Sequence, residues 1–163
     1  MSIATESAPT GGEPVAAPAG RALGVDLGSV RIGLALSDPT RTVASPLSVL
    51  RRSRDRGADH RAIAAIAGEH EVTTIVVGLP LSLSGAKGPA ARAAEAEIDE
   101  LRHAVGPAVV VVAHDERLTT VTAERSLDEA RVRRADRAAV VDKIAAAVML
   151  QSWLESPAKG PRR

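Results

Sequence analysis

RALGVDLGSVRIGLALS, residues 21–37 of this 163-residue chain, is the segment from which the fold class follows. Apolar and small residues alternate on both sides of Gly28-Ser29-Val30, which predicts a β-hairpin with strands over Arg21–Leu27 and Arg31–Ser37. A third strand is expected over Thr42–Leu50, where Pro46 favours an edge position or a bulge. The folded region is therefore expected to begin with three antiparallel strands.

Helical and β-branched segments alternate after these strands. Apolar runs predict two buried strands, over Thr73–Val77 and Val109–Ala113. Helical spacing predicts helices over Asp59–His70, Pro89–Val105, Thr119–Ala130 and Asp136–Leu154. The order βββαβαβαα predicts an α/β domain with a mixed five-stranded sheet, in which three antiparallel strands are followed by parallel crossovers with helices on both faces. This is the element order of the ribonuclease H-like fold.

Composition sets the domain boundaries and excludes several classes of protein. Residues 1–20 and 156–163 are predicted to be disordered tails around one domain over 21–155, because they offer little apolar surface. The chain contains no Cys, which excludes a disulfide scaffold and a thiolate site. Neither a membrane span nor a secretory signal is evident, so a cytoplasmic protein with no membrane partner is expected.

Three acidic residues carry the strongest chemical signal. Asp26 lies in the apolar first strand, where an ionised carboxylate is costly unless it is paired or metal-bound; capping of the following turn is its alternative role. Glu116 emerges at the carboxyl end of the strand Val109–Ala113; its alternative role is to complement the dipole of the next helix, with Thr119 or Thr120 as the cap. Asp142 lies at the edge of the apolar stripe of the last helix, with a solvated surface position as its alternative. That stripe is formed by Val141, Ile144, Ala145 and Val148.

Together these acids predict a cation site built from oxygen ligands. The reactive site of such a sheet is expected beyond the carboxyl ends of its parallel strands. Carboxylates without thiolate or paired His ligands favour Mg²⁺ or Mn²⁺. Two such ions, roughly 3.5–4 Å apart, would activate a water and stabilise the leaving oxygen of a phosphodiester. His114 is either an aid to proton transfer or a structural residue.

Four motifs in order resemble the YqgF family of ribonuclease H-like proteins. DLGSVRIGLA, from Asp26 to Ala35, resembles its D-x-G-x-x-R-x-G-x-A signature, and DERLTT, from Asp115 to Thr120, resembles its D-E-R-x-[ST]-T motif. VGLPL, residues 77–81, resembles its central loop, and VDKIAA, residues 141–146, resembles its last helix. The central loop departs from the family pattern, because Ser82 and Ser84 stand where the family often has Asn and Asp.

The resemblance implies a metal-dependent endonuclease of ribosome biogenesis or of DNA recombination. It implies that the catalytic and metal-binding acids are Asp26, Glu116 and Asp142. It also implies roles near the site, in phosphate binding or loop orientation, for Arg31, Arg117 and Thr119.

Clustered arginines suggest contact with a nucleic-acid backbone. The first cluster comprises Arg51, Arg52, Arg54, Arg56 and Arg61, and the second comprises Arg131, Arg133, Arg134 and Arg137. Such clusters neutralise phosphates without reading sequence, although a solvated face is the alternative. The second leads into the helix that bears Asp142, so Arg133, Arg134 and Arg137 are candidate nucleic-acid ligands. With one Trp and no Tyr or Phe, stacking of bases on aromatic rings is not expected.

Several functions remain open from the sequence. The favoured hypothesis is trimming of the 5′ end of pre-16S rRNA, with structured RNA and ribosomal particles as partners and a monomer or homodimer as the active form. The second is resolution of four-way DNA junctions by a homodimer with paired sites. The third is a non-catalytic rRNA-binding module. An actin-like or sugar-kinase ATPase would need two lobes, for which 163 residues leave no room.

Overall fold

The computed structural model of the chain describes residues 20–82, 84–115 and 134–156. Its strands are β1 (Arg21–Leu27), β2 (Arg31–Ser37), β3 (Ala44–Arg51), β4 (Val72–Leu79) and β5 (Val110–Asp115). Its helices are α1 (Arg56–Glu69), α2 (Pro89–Val105) and α3 (Arg134–Glu155). The helix predicted over Thr119–Ala130 and both predicted tails lie outside the described residues, apart from Gly20 and Ser156. None of the helices in these ranges is long and apolar enough to cross a membrane.

The strands form one mixed sheet in the order β3-β2-β1-β4-β5. The pairs β1–β2 and β2–β3 are antiparallel, whereas β1–β4 and β4–β5 are parallel. The hairpin strands have the predicted bounds, and Pro46 lies in the edge strand β3 opposite a register shift between Leu34 and Ala35. The predicted mixed five-stranded sheet is therefore confirmed.

Alternation along β1 and β2 separates two apolar cores on opposite faces of the sheet. Leu23 of β1 packs on one face with Ile63 of α1 and Leu101 of α2. On the other face, which we call the α3 face, Ala22 packs with Leu150 of α3. Because successive side chains of a strand point to opposite faces, Ala22, Gly24 and Asp26 all point to the α3 face. The prediction of helices on both faces is confirmed.

Strand β5 is an edge strand, and the prediction of a strand buried on both faces is wrong here. Val111 is buried, but Val110 is 48% exposed and Ala113 is also exposed. A run of valines cannot distinguish a central strand from an edge strand, because its burial depends on where the sheet ends. The strand continues to Asp115, which is therefore the last residue of β5.

Helix α3 faces the sheet with a different stripe from the one predicted. The predicted stripe of Val141, Ile144, Ala145 and Val148 is only half-buried. The buried residues are Ala146, Ala147, Met149 and Leu150. The reason is close packing on glycine: a β-carbon on Gly24 would lie 2.8 Å from Leu150 Cβ and 3.0 Å from the Ala146 carbonyl oxygen. Asp142 precedes Ala146 by one turn and therefore lies on the stripe that faces the sheet.

Candidate functional site

Gly33 of β2 brings α3 and Asp26 together. Asp26 and Gly33 are register partners of the antiparallel pair β1–β2, so both point to the α3 face. A β-carbon built on Gly33 would lie 2.0 Å from the carbonyl oxygen of Asp142 and 2.6 Å from its carbonyl carbon. Only glycine permits this approach of helix backbone to strand. The two acids therefore lie on one face of the sheet, on neighbouring elements.

Arg31 orients the carboxylate of Asp142. Its Nε donates a hydrogen bond of 2.6 Å to Asp142 Oδ2, and the two side chains are 36% and 23% exposed. An ion pair with this exposure contributes at most about 1 kcal/mol to stability. Its main consequence is geometric, because it fixes the position of one Asp142 carboxylate oxygen. Arg31 and Asp142 are 111 positions apart in the sequence, so the fold brings them together. The predicted place of Arg31 near the acids agrees with this contact.

The turn between β1 and β2 is held from the opposite face by Arg52. Gly28 is tightly packed, since a β-carbon there would lie 2.4 Å from the Arg31 carbonyl oxygen. Arg52 Nε donates a 2.9 Å hydrogen bond to the Gly28 carbonyl oxygen, and the Arg52 backbone N–H donates one of 2.9 Å to the Val30 carbonyl oxygen. The segment joining Asp26 to Arg31 is thus fixed by packing within the turn and by the two hydrogen bonds from Arg52.

The Arg52 side chain belongs to a buried ionic network between α1 and α2. Its terminal nitrogens contact both carboxylate oxygens of Glu97, which also contacts His60 Nε2 at 3.1 Å. Asp59 lies against the same network, with Oδ2 at 3.7 Å from Arg52 Nη1. Burial alone would raise the pKa of Glu97, but the hydrogen bonds from Arg52 and His60 outweigh it and lower that pKa.

The first predicted arginine cluster is therefore divided. Arg52 and Arg56 face Glu97, and Arg61 pairs with Asp55. Of these three, only Arg52 is largely buried, whereas the side chains of Arg56 and Arg61 are 49% and 70% exposed. Contact of the exposed members with phosphate stays a prediction. Arg51 and Arg54 remain exposed and form no ion pair among the described residues.

His114 joins β5 to α3 on the face that carries the acids. It is the register partner of Gly78, and its Nε2 lies 3.1 Å from Ser152 Oγ. Burial lowers the pKa of His114, while the neighbouring Asp115 acts in the opposite direction. This contact fits the structural role that the sequence left open for His114.

Part of the predicted site lies outside the described residues. This holds for Glu116, Arg117, Thr119, Arg131 and Arg133. Arg134 and Arg137 belong to α3, but their side chains are also outside the description. Within the described ranges no three His, Asp or Glu side chains are grouped closely enough to hold a metal ion. The donors that are described, carboxylates on one face of the sheet, are of the type that suits Mg²⁺ or Mn²⁺.

Comparison with known proteins assigns the chain to a family. A family model described as "RuvX: Holliday junction resolvase" matches residues 20–156. The chain belongs to the RuvX family. One RuvX relative, from Mycobacterium ulcerans, is 48% identical over 136 residues, covering 83% of this chain and 79% of its own. Another, from Rhodococcus opacus, is 47% identical over 139 residues, covering 83% and 78%. Both carry the name "Putative pre-16S rRNA nuclease".

A solved structure is similar to this RuvX chain in fold. It is RuvC of Thermus thermophilus in complex with a Holliday junction substrate, with a TM-score of 0.50 and 14% identity. The alignment covers 83% of this chain and 96% of that one. At this identity the likeness bears on the fold alone, and it confirms the predicted ribonuclease H-like architecture.

Two structural roles are not evident from the sequence of this RuvX chain: that of Gly33 beneath α3, and that of Glu97 in the network that holds Arg52. In the sequence Gly33 stands out only as part of the opening motif, although the small residues Gly33 and Ala35 alternate along β2 and both face the helix that bears Asp142. Glu97 lies beside Ile98 on the face of α2 that is buried against the sheet. A glutamate next to the buried apolar residues of a helix, as Glu97 is next to Ile98, is the sequence signal that indicates a buried ion pair.

Glu97→Gln is expected to lower the free energy of unfolding by about 2 kcal/mol at pH 7, because the buried Arg52 guanidinium loses its two-pronged carboxylate partner and keeps only the longer 3.7 Å contact with Asp59. The folded-state pKa of Glu97 is lowered, so its stabilisation is present above the ordinary value of 4.5 and is lost as pH falls through the folded value. The deficit of the variant should therefore shrink below pH 4.5. Urea unfolding at pH 7 and at pH 4 measures both effects.

Glu95→Gln provides the matched control on the same helix. Glu95 pairs with Lys87 at the surface, where the side chains are 39% and 55% exposed. Its loss should cost at most about 0.5 kcal/mol. Equal effects of the two variants at pH 7 would contradict a structural role for the buried network.

Proposed function

We propose that this RuvX-family chain is a metal-dependent endonuclease that processes the 5′ end of pre-16S rRNA. The carrying observation is that Asp26 and Asp142 lie on the same face of the sheet, on either side of Gly33, with Arg31 bound to Asp142. The names of its relatives support RNA processing as the context. In this proposal the protein works in the cytoplasm on structured RNA in ribosomal particles.

Asp26, Glu116 and Asp142 would hold Mg²⁺ or Mn²⁺, most simply as a pair of ions. When bound, such ions supply an activated water and stabilise the leaving oxygen of a phosphodiester. Arg31 keeps the Asp142 carboxylate in one orientation, and the Arg52–Glu97 pair holds the turn that follows Asp26. Preorganised carboxylates lose little freedom when they bind a charged ligand, which is why both supports matter for rate.

Arg117 and Thr119 are proposed to contact phosphate or orient their loop, and Arg133, Arg134 and Arg137 to contact the nucleic-acid backbone.

The second candidate is resolution of four-way DNA junctions. It is favoured by the description of the family model, which names a Holliday junction resolvase. The same acids would serve, but paired incisions require two sites and hence a homodimer. Trimming of an RNA end needs only a single incision, so one site in a monomer would be enough for that reaction.

A side-by-side cleavage assay separates these functions. The purified full chain is offered a labelled RNA with the 5′ precursor extension of 16S rRNA and a four-way DNA junction, each in Mn²⁺, in Mg²⁺ and with chelator. Cleavage of the RNA alone, abolished by chelator, is the expected result. Cleavage of the junction alone would replace the proposal with the second candidate. Binding of RNA without cleavage of either substrate would overturn the endonuclease and favour a binding module.

A further inference from the structure

A cleft lies beside the candidate acids, on the β3 side of Arg31. It has a volume of about 300 Å³ and is lined by Val30, Arg31, Val49, Arg51 and Ala139. Arg31 connects it directly to the acids, because the same side chain binds Asp142. The cleft therefore opens on the α3 face next to the proposed reaction site.

Two arginines stand opposite each other in this cleft. Arg31 of β2 and Arg51 of β3 are register partners in an antiparallel pair, so their side chains leave the same face of the sheet. Like charges directly opposite each other on neighbouring strands destabilise a sheet. Asp142 offsets the charge of Arg31. Within the described ranges no carboxylate forms an ion pair with the exposed Arg51.

Arg51 and the next residue, Arg52, differ in what their guanidinium groups contact. Arg52 points to the opposite face, where Glu97 and the Gly28 carbonyl oxygen use its guanidinium. The Arg51 guanidinium has no hydrogen-bond acceptor among the described residues, and it lines a concave surface. An anion between Arg31 and Arg51 would relieve their repulsion, and a guanidinium binds phosphate oxygens in a fork geometry. The apolar walls formed by Val30 and Val49 can contact a sugar, but they provide no aromatic ring for a base.

We propose that Arg51 and this cleft bind a backbone phosphate of the substrate strand, on the β3 side of the scissile bond. The inference rests on the proposed function, since it places the phosphate relative to the proposed reaction site. Arg51 adds a substrate contact outside the four family motifs, beside Arg31 of the first motif. The proposal also predicts the path of the nucleic-acid substrate, which would run from the candidate acids across β2 toward the edge strand β3.

Salt-dependent binding tests the assignment without any cleavage. The affinity for the structured RNA is measured between 50 and 200 mM salt in an Asp26→Asn background, with Arg51→Ala or Arg92→Ala added. Arg92 is an exposed arginine of α2, on the other face of the sheet, so the two variants have equal net charge. Arg51→Ala is expected to reduce the slope of log K against log[salt] by about 0.7–0.9, the share of one phosphate contact. Arg92→Ala is expected to leave the slope unchanged.

A phosphate scan locates the contact. Single neutral methylphosphonates are placed at successive positions on both sides of the cleavage site. The Asp26→Asn chain should lose affinity at one flanking position, and the chain that also carries Arg51→Ala should lose none there. Arg51→Ala should unfold no more easily than its parent, because it removes a like-charge pair, so weaker binding would not reflect misfolding.

Two results would overturn the inference. One is an unchanged salt slope in Arg51→Ala, or an equal change in Arg92→Ala. The other is the absence of any flanking phosphate whose effect depends on Arg51. Failure of the proposed function is distinguishable, because it would show as RNA binding through Arg51 in a wild-type chain that cleaves neither substrate.

Discussion

The Asp26→Asn variant is expected to lose phosphodiester cleavage by about 10³-fold or more while it keeps its fold. The proposed site uses negative charge at Asp26, and the loss of several kcal/mol of transition-state stabilisation corresponds to a rate change of this size. Asparagine has nearly the same shape, so strand β1 and its packing on α3 should persist. Single-turnover cleavage of the RNA in Mn²⁺ and a thermal unfolding curve measure the two quantities.

Asp99→Asn is the matched control for this substitution. Asp99 is an exposed acid of α2 that pairs with Arg102, on the opposite face of the sheet from Asp26. The same chemical change there should leave the cleavage rate within about twofold, since an exposed pair contributes little. Full activity of Asp26→Asn, or an equal loss in Asp99→Asn, would refute the assignment of the site.

Gly33→Ala is expected to have the largest effect on the structure. Its new β-carbon would fall 2.0 Å from the Asp142 carbonyl oxygen, and backbone atoms cannot rotate away as a side chain can. Overpacking of this kind costs about 3 kcal/mol, and it must separate α3 from β2. Chemical unfolding should show the loss of stability. The cleavage rate per folded molecule should fall as well, because Asp142 moves with its helix.

Gly68→Ala shows whether the effect is specific to that contact. A β-carbon on Gly68, in helix α1, would meet no atom within 4 Å. Alanine in a helix is favoured over glycine by about 0.5–1 kcal/mol, so this variant should be slightly more stable and fully active. A Gly33→Ala chain as stable and active as wild type would show that α3 does not depend on the glycine contact.

The sequence predicted the hairpin well because its information is local. Alternation in β1 and β2 and the small residues of the turn fix those strands without reference to the rest of the chain. The mixed sheet then follows from the order of elements. Asp26 is a candidate for the same reason, since a charge within an apolar strand pattern can be seen in the sequence itself, and Asp142 becomes a candidate when it is considered together with Asp26 and Glu116.

What the sequence could not predict depends on which surfaces meet. Helix α3 is apolar or small on most sides, so its composition does not show that Ala146 and Leu150 face the sheet instead of Val141 and Ile144. The choice is made by Gly24 and Gly33, which lie on other elements. Likewise, the sequence does not distinguish Arg51 from Arg52. Their side chains leave opposite faces of the sheet at the end of β3, so Arg51 lines the open cleft and Arg52 binds the buried Glu97.

Trp153 gives the docking of α3 an optical consequence. It is the single Trp of a chain without Tyr or Phe, and it packs against the apolar core on the α3 face of the sheet. It lies on the same helix as Asp142, about three turns further along. Intrinsic fluorescence of this protein therefore comes from one indole, placed on the element that completes the acid pair. The emission of the unlabelled chain reports whether that helix is seated.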